Sequence, residues 1–139
     1  MSMIQTTIII LAGIGAAISA YFAALGLGLV NPQDRRVPRL CRVQEQDCTR
    51  LLGSSDARVF GVPNALVGLL YYVALLTVGA QRDALHDLIG FFVLPGLLAV
   101  VLGVYLTARL LIVHRVRCLL CLAAHCINVI LLVIFLIGL

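Results

Sequence analysis

Residues 118–139 read CLLCLAAHCINVILLVIFLIGL and contain no Asp, Glu, Lys or Arg. An apolar stretch of about 20 residues is long enough to cross the hydrocarbon core of a membrane as an α-helix. Water is absent from that core, so the backbone must satisfy its own polar groups, as it does in a helix. The stretch therefore predicts a transmembrane helix, and a Cys-x-x-Cys motif lies at its N-terminal end.

Three further stretches of similar length also lack charged residues, and none alternates between polar and apolar residues as a membrane β-strand does. We therefore predict an all-α integral membrane protein, a four-helix bundle that forms a single domain over residues 1–139. The predicted spans are residues 8–30, 59–81, 88–108 and 118–139. The connections between them are a long polar loop, 31–58, and two short turns, 82–87 and 109–117.

The composition agrees with a membrane location. Hydrophobic residues make up 63% of the 139 residues, charged residues only 12%, and the mean hydropathy is +1.14. A soluble domain of this size leaves too much of its surface exposed to hide so many apolar side chains. These values exclude intrinsic disorder and a soluble nucleic-acid-binding domain, so no nucleic-acid partner is expected.

The topology predicts that four cysteines share one face of the membrane. With four spans both termini lie on one side, so the first and third connections emerge together on the other side. Cys41 and Cys48 lie in the first connection, whereas Cys118 and Cys121 begin the last span. Two dithiols on one face suggest an electron relay by thiol–disulfide exchange.

The Cys118-x-x-Cys121 pair has the surroundings of a reactive thiol. Positions i and i+3 share a helix face, and the N-terminus of a helix favours a thiolate. Arg115 and Arg117 add positive charge just before the motif. The chain has five cysteines, so at least one is unpaired within it. Cys126 lies one position off the reactive stripe and is interpreted as a packing residue.

Polar residues continue the stripe into the membrane. His125 and Asn128 follow the cysteines at helical spacing, and Asn64 stands near the start of the second span. Such residues inside a span are costly and usually face a cavity or a partner. Their donors suit the carbonyl oxygens of a quinone. Tyr71 and Tyr72 are typical of core aromatic residues, and Tyr72 is selected as the one that contacts the quinone.

Taken together, these motifs resemble the vitamin K epoxide reductase (VKOR) family, in its stand-alone four-helix prokaryotic type. The resemblance covers nearly all of the chain after the first span. It rests on Cys41, Cys48-Thr-Arg-Leu-Leu-Gly-Ser54, Phe60-Gly-Val-Pro-Asn64-x-x-x-Gly68, Cys118-x-x-Cys121 and Ile127-Asn128.

The resemblance implies a four-helix bundle around a quinone, menaquinone or ubiquinone, that accepts electrons from thiols. It implies that Cys41 exchanges with a thioredoxin-like partner and that Cys48 passes the electrons to Cys118. Cys121 would then face the quinone and reduce it. Because the chain ends at Leu139 without a fused thioredoxin domain, the partner is expected to be a separate protein.

The resemblance also assigns Ser54 and Asn64 to positions near the quinone. His125 occupies a position that is Tyr in the vertebrate enzymes. That departure leaves epoxide reduction and vertebrate-type inhibitor contacts open for this chain.

The arginines predict which way the cysteine face points. All ten basic residues are Arg, and Arg82 alone lies in the connection on the opposite face. Basic residues near span ends favour the cytoplasmic side. Members of the family usually place these cysteines outside the cytoplasm, so the count predicts an inverted member that forms disulfides in the cytosol. An extracytoplasmic face is the alternative.

Two other functions stay open at this point. The first is a metal-binding or metal-transferring membrane protein that uses Cys118, Cys121 and His125, because soft thiolates suit Cu(I) or Zn. The second is a structural four-span protein without a redox role.

Overall fold

The computed structural model describes residues 2–30, 58–59, 61–113, 115 and 118–138. The predicted site residues of the first connection, Cys41, Cys48 and Ser54, lie outside this range. Within it the chain forms four α-helices, which are α1 (Met3–Gly26), α2 (Asn64–Gly79), α3 (Arg82–Ala108) and α4 (Leu119–Gly138). Strands β1 (Arg58–Val59) and β2 (Val62–Pro63) precede α2, and a π-helical turn, Arg109–Val113, follows α3.

The predicted all-α membrane architecture is confirmed. Three helical segments are long and apolar enough to cross a membrane, namely Met3–Gly26, Leu88–Val113 and Leu119–Gly138. The segment Asn64–Gly79 is apolar but shorter. Large apolar side chains point outward from the helices, with Leu70 66% and Phe91 70% exposed. Such a surface is suited to lipid and not to water.

Helix α2 begins at Asn64 and not at Val59 as the sequence analysis predicts. The intervening residues form an antiparallel ribbon in which Val59 pairs with Val62. Gly61 lies at the turn with a φ of 82°, a conformation that a residue without Cβ adopts at little cost. Pro63 disfavours helical geometry in the residue before it, so Val62 stays extended.

Other helix ends also differ from the predicted spans. Segment 82–87 was predicted to be a short turn, but it forms the beginning of α3, because it contains no Gly or Pro to break the helix. Helix α1 covers Met3–Gly26 instead of 8–30. Its first turn is capped by Ser2, whose hydroxyl accepts a hydrogen bond of 3.1 Å from the backbone N–H of Gln5. Charge-free stretches locate the hydrocarbon core, whereas capping and breaking residues decide where helices end.

Helix α1 packs mainly against α2, and α3 packs mainly against α4. Both pairs are antiparallel. At one end of the first pair the side-chain amide of Gln5 donates a buried hydrogen bond of 2.7 Å to the Gly79 carbonyl oxygen. Midway along the pair Gly15 lies directly against the ring of Tyr72, where a Cβ would overlap the ring. Small residues of this kind let membrane helices approach closely.

The central core joins all four helices. Among its fully buried members are Ile8 of α1, Leu75 of α2, and Leu131 and Phe135 of α4. Phe92 contributes from α3, with its ring centroid 6.3 Å from that of Phe135. This core holds the bundle together at the end far from the cysteines.

A second, smaller cluster closes the other end of the bundle. It contains Phe22 near the C-terminus of α1, Leu110 of the π-helical turn, and Cys118 just before α4, with Ala65 at the start of α2 packed against it. We refer to this cluster as the cysteine end. It confirms that the first and third connections leave the bundle at the same end, as the four-span topology predicts.

Candidate functional site

The two cysteines of the Cys-x-x-Cys motif differ in their surroundings. Cys118 precedes α4 and is completely buried at the cysteine end. Cys121 lies one turn into α4, is partly buried and packs against the same cluster. The spacing of three residues places both on one side of the helix N-terminus. Cys121 also lines an internal cavity, so it connects the cysteine end with that cavity.

The two cysteines also differ in redox state. Cys118 is disulfide-bonded, whereas Cys121 and Cys126 are free thiols. The partner of Cys118 is therefore neither of these two residues. The Cys118–Cys121 pair is open in this state, and the thiol of Cys121 is available on the cavity wall.

The cavity has a volume of about 380 Å³ and lies between the four helices. Ligand sites in proteins typically enclose about 300–1,000 Å³. Most of the wall is apolar, including Ile18 and Phe22 of α1 and Ala124 of α4. Val67 of α2 and Leu98 of α3 line the cavity and are also exposed on the outside of the bundle. The cavity therefore reaches the surface that faces lipid.

A small set of polar side chains interrupts this apolar wall. The set consists of Ser19, Asn64, Tyr71, Tyr72, Arg109, Cys121, His125 and Asn128. An apolar cavity with a few converging polar groups is the usual form of a site for a small organic molecule.

Tyr72 and Asn128 form a hydrogen-bonded pair within this set. The hydroxyl of Tyr72 donates to the Oδ1 atom of Asn128 over 2.6 Å, and it lies 3.4 Å from the carbonyl oxygen of Ala124. Tyr72 is only 2% exposed. The Tyr72 hydroxyl is therefore already hydrogen-bonded to α4. This bond holds the side-chain amide of Asn128, which lines the cavity, in place.

Two other polar groups have no such partner. The hydroxyl of Tyr71 and the Nδ1 atom of His125 are buried and make no hydrogen bond within the described part of the chain. A buried polar group without a partner costs about 1–3 kcal/mol. A ligand with hydrogen-bonding groups would remove that cost, so these two atoms make the cavity suited to a partly polar molecule.

The backbone of α3 determines where the imidazole of His125 lies. A Cβ at Gly103 would come 2.7 Å from Nδ1 and 3.2 Å from Cγ of His125. Glycine thus leaves room for the imidazole to pack closely against α3. Because His125 follows Cys121 by four residues, both side chains lie on the same face of α4 and at the same end of the cavity.

These features fit a quinone in several respects. The cavity is apolar, reaches lipid, presents unpartnered hydrogen-bonding atoms and carries a free thiol on its wall. The metal interpretation lacks comparable support. Among the described side chains no group of three His, Cys, Asp or Glu comes together to hold an ion. Cys118 is also bound in a disulfide and does not offer a thiolate ligand.

Most of the predicted site residues that the structure describes meet in one place. Asn64, Tyr72, Cys121, His125 and Asn128 line the cavity, and Cys118 lies beside it. Tyr71 also lines the cavity, although its neighbour Tyr72 is the tyrosine predicted to contact the quinone. Two consecutive tyrosines carry no signal in the sequence that tells which hydroxyl is already paired.

Comparison with known proteins agrees with this geometry. The model of the vitamin K epoxide reductase family matches residues 6–136, which is nearly the whole chain. No curated protein matches the sequence. Since the family match covers all four helices and the cavity between them, the chain belongs to the vitamin K epoxide reductase family and is a membrane oxidoreductase.

Proposed function

We propose that this protein is a quinone-dependent thiol oxidase that forms disulfides in a separate thioredoxin-like partner. The observation that carries the proposal is the free thiol of Cys121. It lies on the wall of a lipid-accessible cavity, three residues after a disulfide-bonded Cys118. A dithiol relay would reach this arrangement just before electrons leave the protein.

The relay begins at the first connection. A thiolate of the reduced partner attacks the Cys41–Cys48 disulfide and is then displaced as the partner forms its own disulfide. Cys48, now a thiolate, attacks Cys118 and breaks the Cys118–Cys121 bond. The product is a Cys48–Cys118 disulfide and a released Cys121 thiol. We therefore assign Cys48 as the partner of Cys118, in keeping with the free Cys121.

The cavity residues hold the acceptor. A bound quinone supplies an acceptor for two electrons and two protons, which is the number that the partner dithiol loses. Asn64, Asn128 and His125 offer polar groups around it, and the apolar wall excludes water. With the quinone taking an electron pair from Cys121, the Cys41 thiolate would displace Cys118 from Cys48, and the freed Cys118 sulfur would bond to Cys121. Both disulfides would then be restored for the next cycle. Ser54 is assigned to the same site on the family resemblance alone.

The proposal is tested by the stoichiometry of the reaction. We expect the purified protein in detergent to oxidise a reduced thioredoxin-like protein and to consume one quinone for each disulfide formed. Thiol titration and quinone absorbance measured in the same sample give the two quantities. A folded sample that reduces neither menaquinone nor ubiquinone analogues would overturn the proposal, and metal analysis would then be the next experiment.

We also propose that the cysteine end faces the cytoplasm. In the structure Arg109 lies at this end, and Arg82 begins α3 at the opposite end. Basic residues favour the cytoplasmic side. Those at or near the cysteine end by topology are Arg35, Arg36, Arg39, Arg42, Arg50, Arg58, Arg109, Arg115 and Arg117.

We expect a protease site inserted in the 31–58 connection to be cleaved only after spheroplasts are opened. The same protease site inserted instead in the 80–81 connection should be cleaved in intact spheroplasts. This variant serves as the matched control. Cleavage of the first site in intact spheroplasts would contradict the cytoplasmic assignment and restore the usual orientation of the family.

A further inference from the structure

We infer that the hydroxyl of Tyr71 binds the end of the quinone ring that lies away from Cys121, and that it selects ligands with two opposed carbonyl groups. This inference rests on the proposed quinone site and adds a specificity-determining residue to it. Three observations carry it: the direction of the Tyr71 side chain, the absence of a partner for its hydroxyl among the described residues, and its position relative to His125.

The two consecutive tyrosines direct their hydroxyl groups to different helices. The ring centroids of Tyr71 and Tyr72 are 5.5 Å apart, and the planes are tilted by 54°. Tyr72 reaches α4, where it donates to Asn128. Tyr71 reaches α3 instead, because its hydroxyl lies 3.4 Å from the place that a Cβ at Gly96 would occupy. The Tyr71 hydroxyl thus lies against α3 at the level of Gly96 and does not share the Asn128 amide with Tyr72.

A purely structural role for this hydroxyl has an obvious candidate partner on α3. Pro95 has no N–H, so the carbonyl of Phe91, four residues earlier, lacks its usual helical donor. A hydrogen bond from Tyr71 to that carbonyl would explain the tyrosine without a ligand. The hydroxyl makes no hydrogen bond to any described residue, so it does not serve that purpose.

The spacing along α3 indicates the shape of the ligand. Tyr71 lies at the level of Gly96 and His125 at the level of Gly103. Seven residues of helix separate these levels, which corresponds to about 10 Å. Two carbonyl oxygens on opposite sides of a six-membered ring are roughly 5 Å apart, given C=O bonds of about 1.2 Å. A hydrogen bond of about 2.8 Å at each end extends the total to about 11 Å.

The unpartnered atoms of Tyr71 and His125 are therefore spaced for a ring with an acceptor at each end. A single-carbonyl ligand would satisfy only one of them and leave the other buried without a partner. Sites that hydrogen-bond a polar group reject analogues that lack it, for this reason. His125 holds the end of the ring near Cys121, and Tyr71 holds the far end.

Calorimetric titration of the purified protein with menadione, which has two opposed carbonyls, and with α-tetralone, which has one, tests the inference. We expect the wild type to bind menadione more tightly than tetralone. In Tyr71→Phe the affinity for menadione should fall about 5- to 30-fold, the effect of one lost hydrogen bond. The affinity for tetralone should change less than about twofold, because His125 still binds its single carbonyl.

Tyr105→Phe provides the matched control. Tyr105 lies on α3, is 52% exposed and does not line the cavity, so the same removal of a hydroxyl should leave both affinities at the wild-type value. Unchanged menadione affinity and preference in Tyr71→Phe would overturn the role of Tyr71 while leaving the quinone site intact. Failure of the wild type to bind menadione would overturn the proposed quinone site itself, and the inference with it.

Discussion

Replacing Cys121 by serine is expected to abolish quinone reduction, with kcat lowered at least about 1,000-fold, as is usual when a nucleophile is removed. Cys121 is the free thiol on the cavity wall next to the disulfide-bonded Cys118. A serine hydroxyl at that place neither carries the electron pair nor re-forms a bond to Cys118. The rate of quinone absorbance change under excess dithiol measures the effect.

The same variant should trap the relay in an identifiable state. In this variant Cys118 can exchange only with the Cys41–Cys48 disulfide, which gives a Cys48–Cys118 cross-link and a free Cys41 thiol. No thiol on the cavity wall is left to pass that oxidising bond back to the Cys118–Cys121 pair. We therefore expect this cross-link to accumulate, and non-reducing electrophoresis with peptide mapping detects it. Mapping also tests whether Cys48 is the partner. A cross-link from Cys118 to Cys41 would contradict the proposed order of the relay.

Cys126→Ser is the matched control for this experiment. Cys126 is the other described free thiol and lies on the same helix, but it is exposed and does not line the cavity. Its substitution should leave kcat within about twofold of wild type, as for surface changes away from special features. Equal losses in the two variants would mean that thiols on α4 matter for folding, and wild-type activity of Cys121→Ser would refute the relay.

Replacing Gly103 by valine should lower kcat/KM roughly 10- to 100-fold, because displacing a positioning group by about an ångström costs up to 100-fold in rate. A Cβ alone would lie 2.7 Å from Nδ1 of His125, so a branched side chain forces the imidazole away from α3. The loss should appear mainly in KM for the quinone. Steady-state kinetics with varied quinone concentration separates KM from kcat.

A pair of further variants separates this local effect from general damage. Gly13→Val introduces the same residue into α1 at a position with nothing within 4 Å of the added Cβ, so it should keep wild-type kinetics. Combining Gly103→Val with His125→Ala removes the overlap. The combined variant should be more thermally stable in detergent than Gly103→Val, but it should not regain activity. Recovery of activity would show that His125 does not hold the ligand.

Much of the architecture followed from charge-free stretches of the sequence. Their length placed the membrane helices, since the hydrocarbon core demands about 20 apolar residues and a self-satisfied backbone. Their number placed Cys118 and Cys121 at the same end as the first connection. The N-terminal ends of α2 and α3 differ from the ends that these stretches predict. Local breakers such as Gly61 and Pro63, and their absence in 82–87, decide those ends independently of the lipid.

By itself, then, the sequence determined a membrane bundle with a reactive dithiol and polar residues at one end. Only the tertiary structure decided which polar groups are already paired. Tyr71 and Tyr72 are neighbours on α2, but Asn128 on α4 accepts a hydrogen bond from Tyr72, and Gly96 on α3 leaves space beside Tyr71. The reason is physical: whether a hydroxyl is free to bind a ligand depends on contacts with other helices, which only the packed bundle creates.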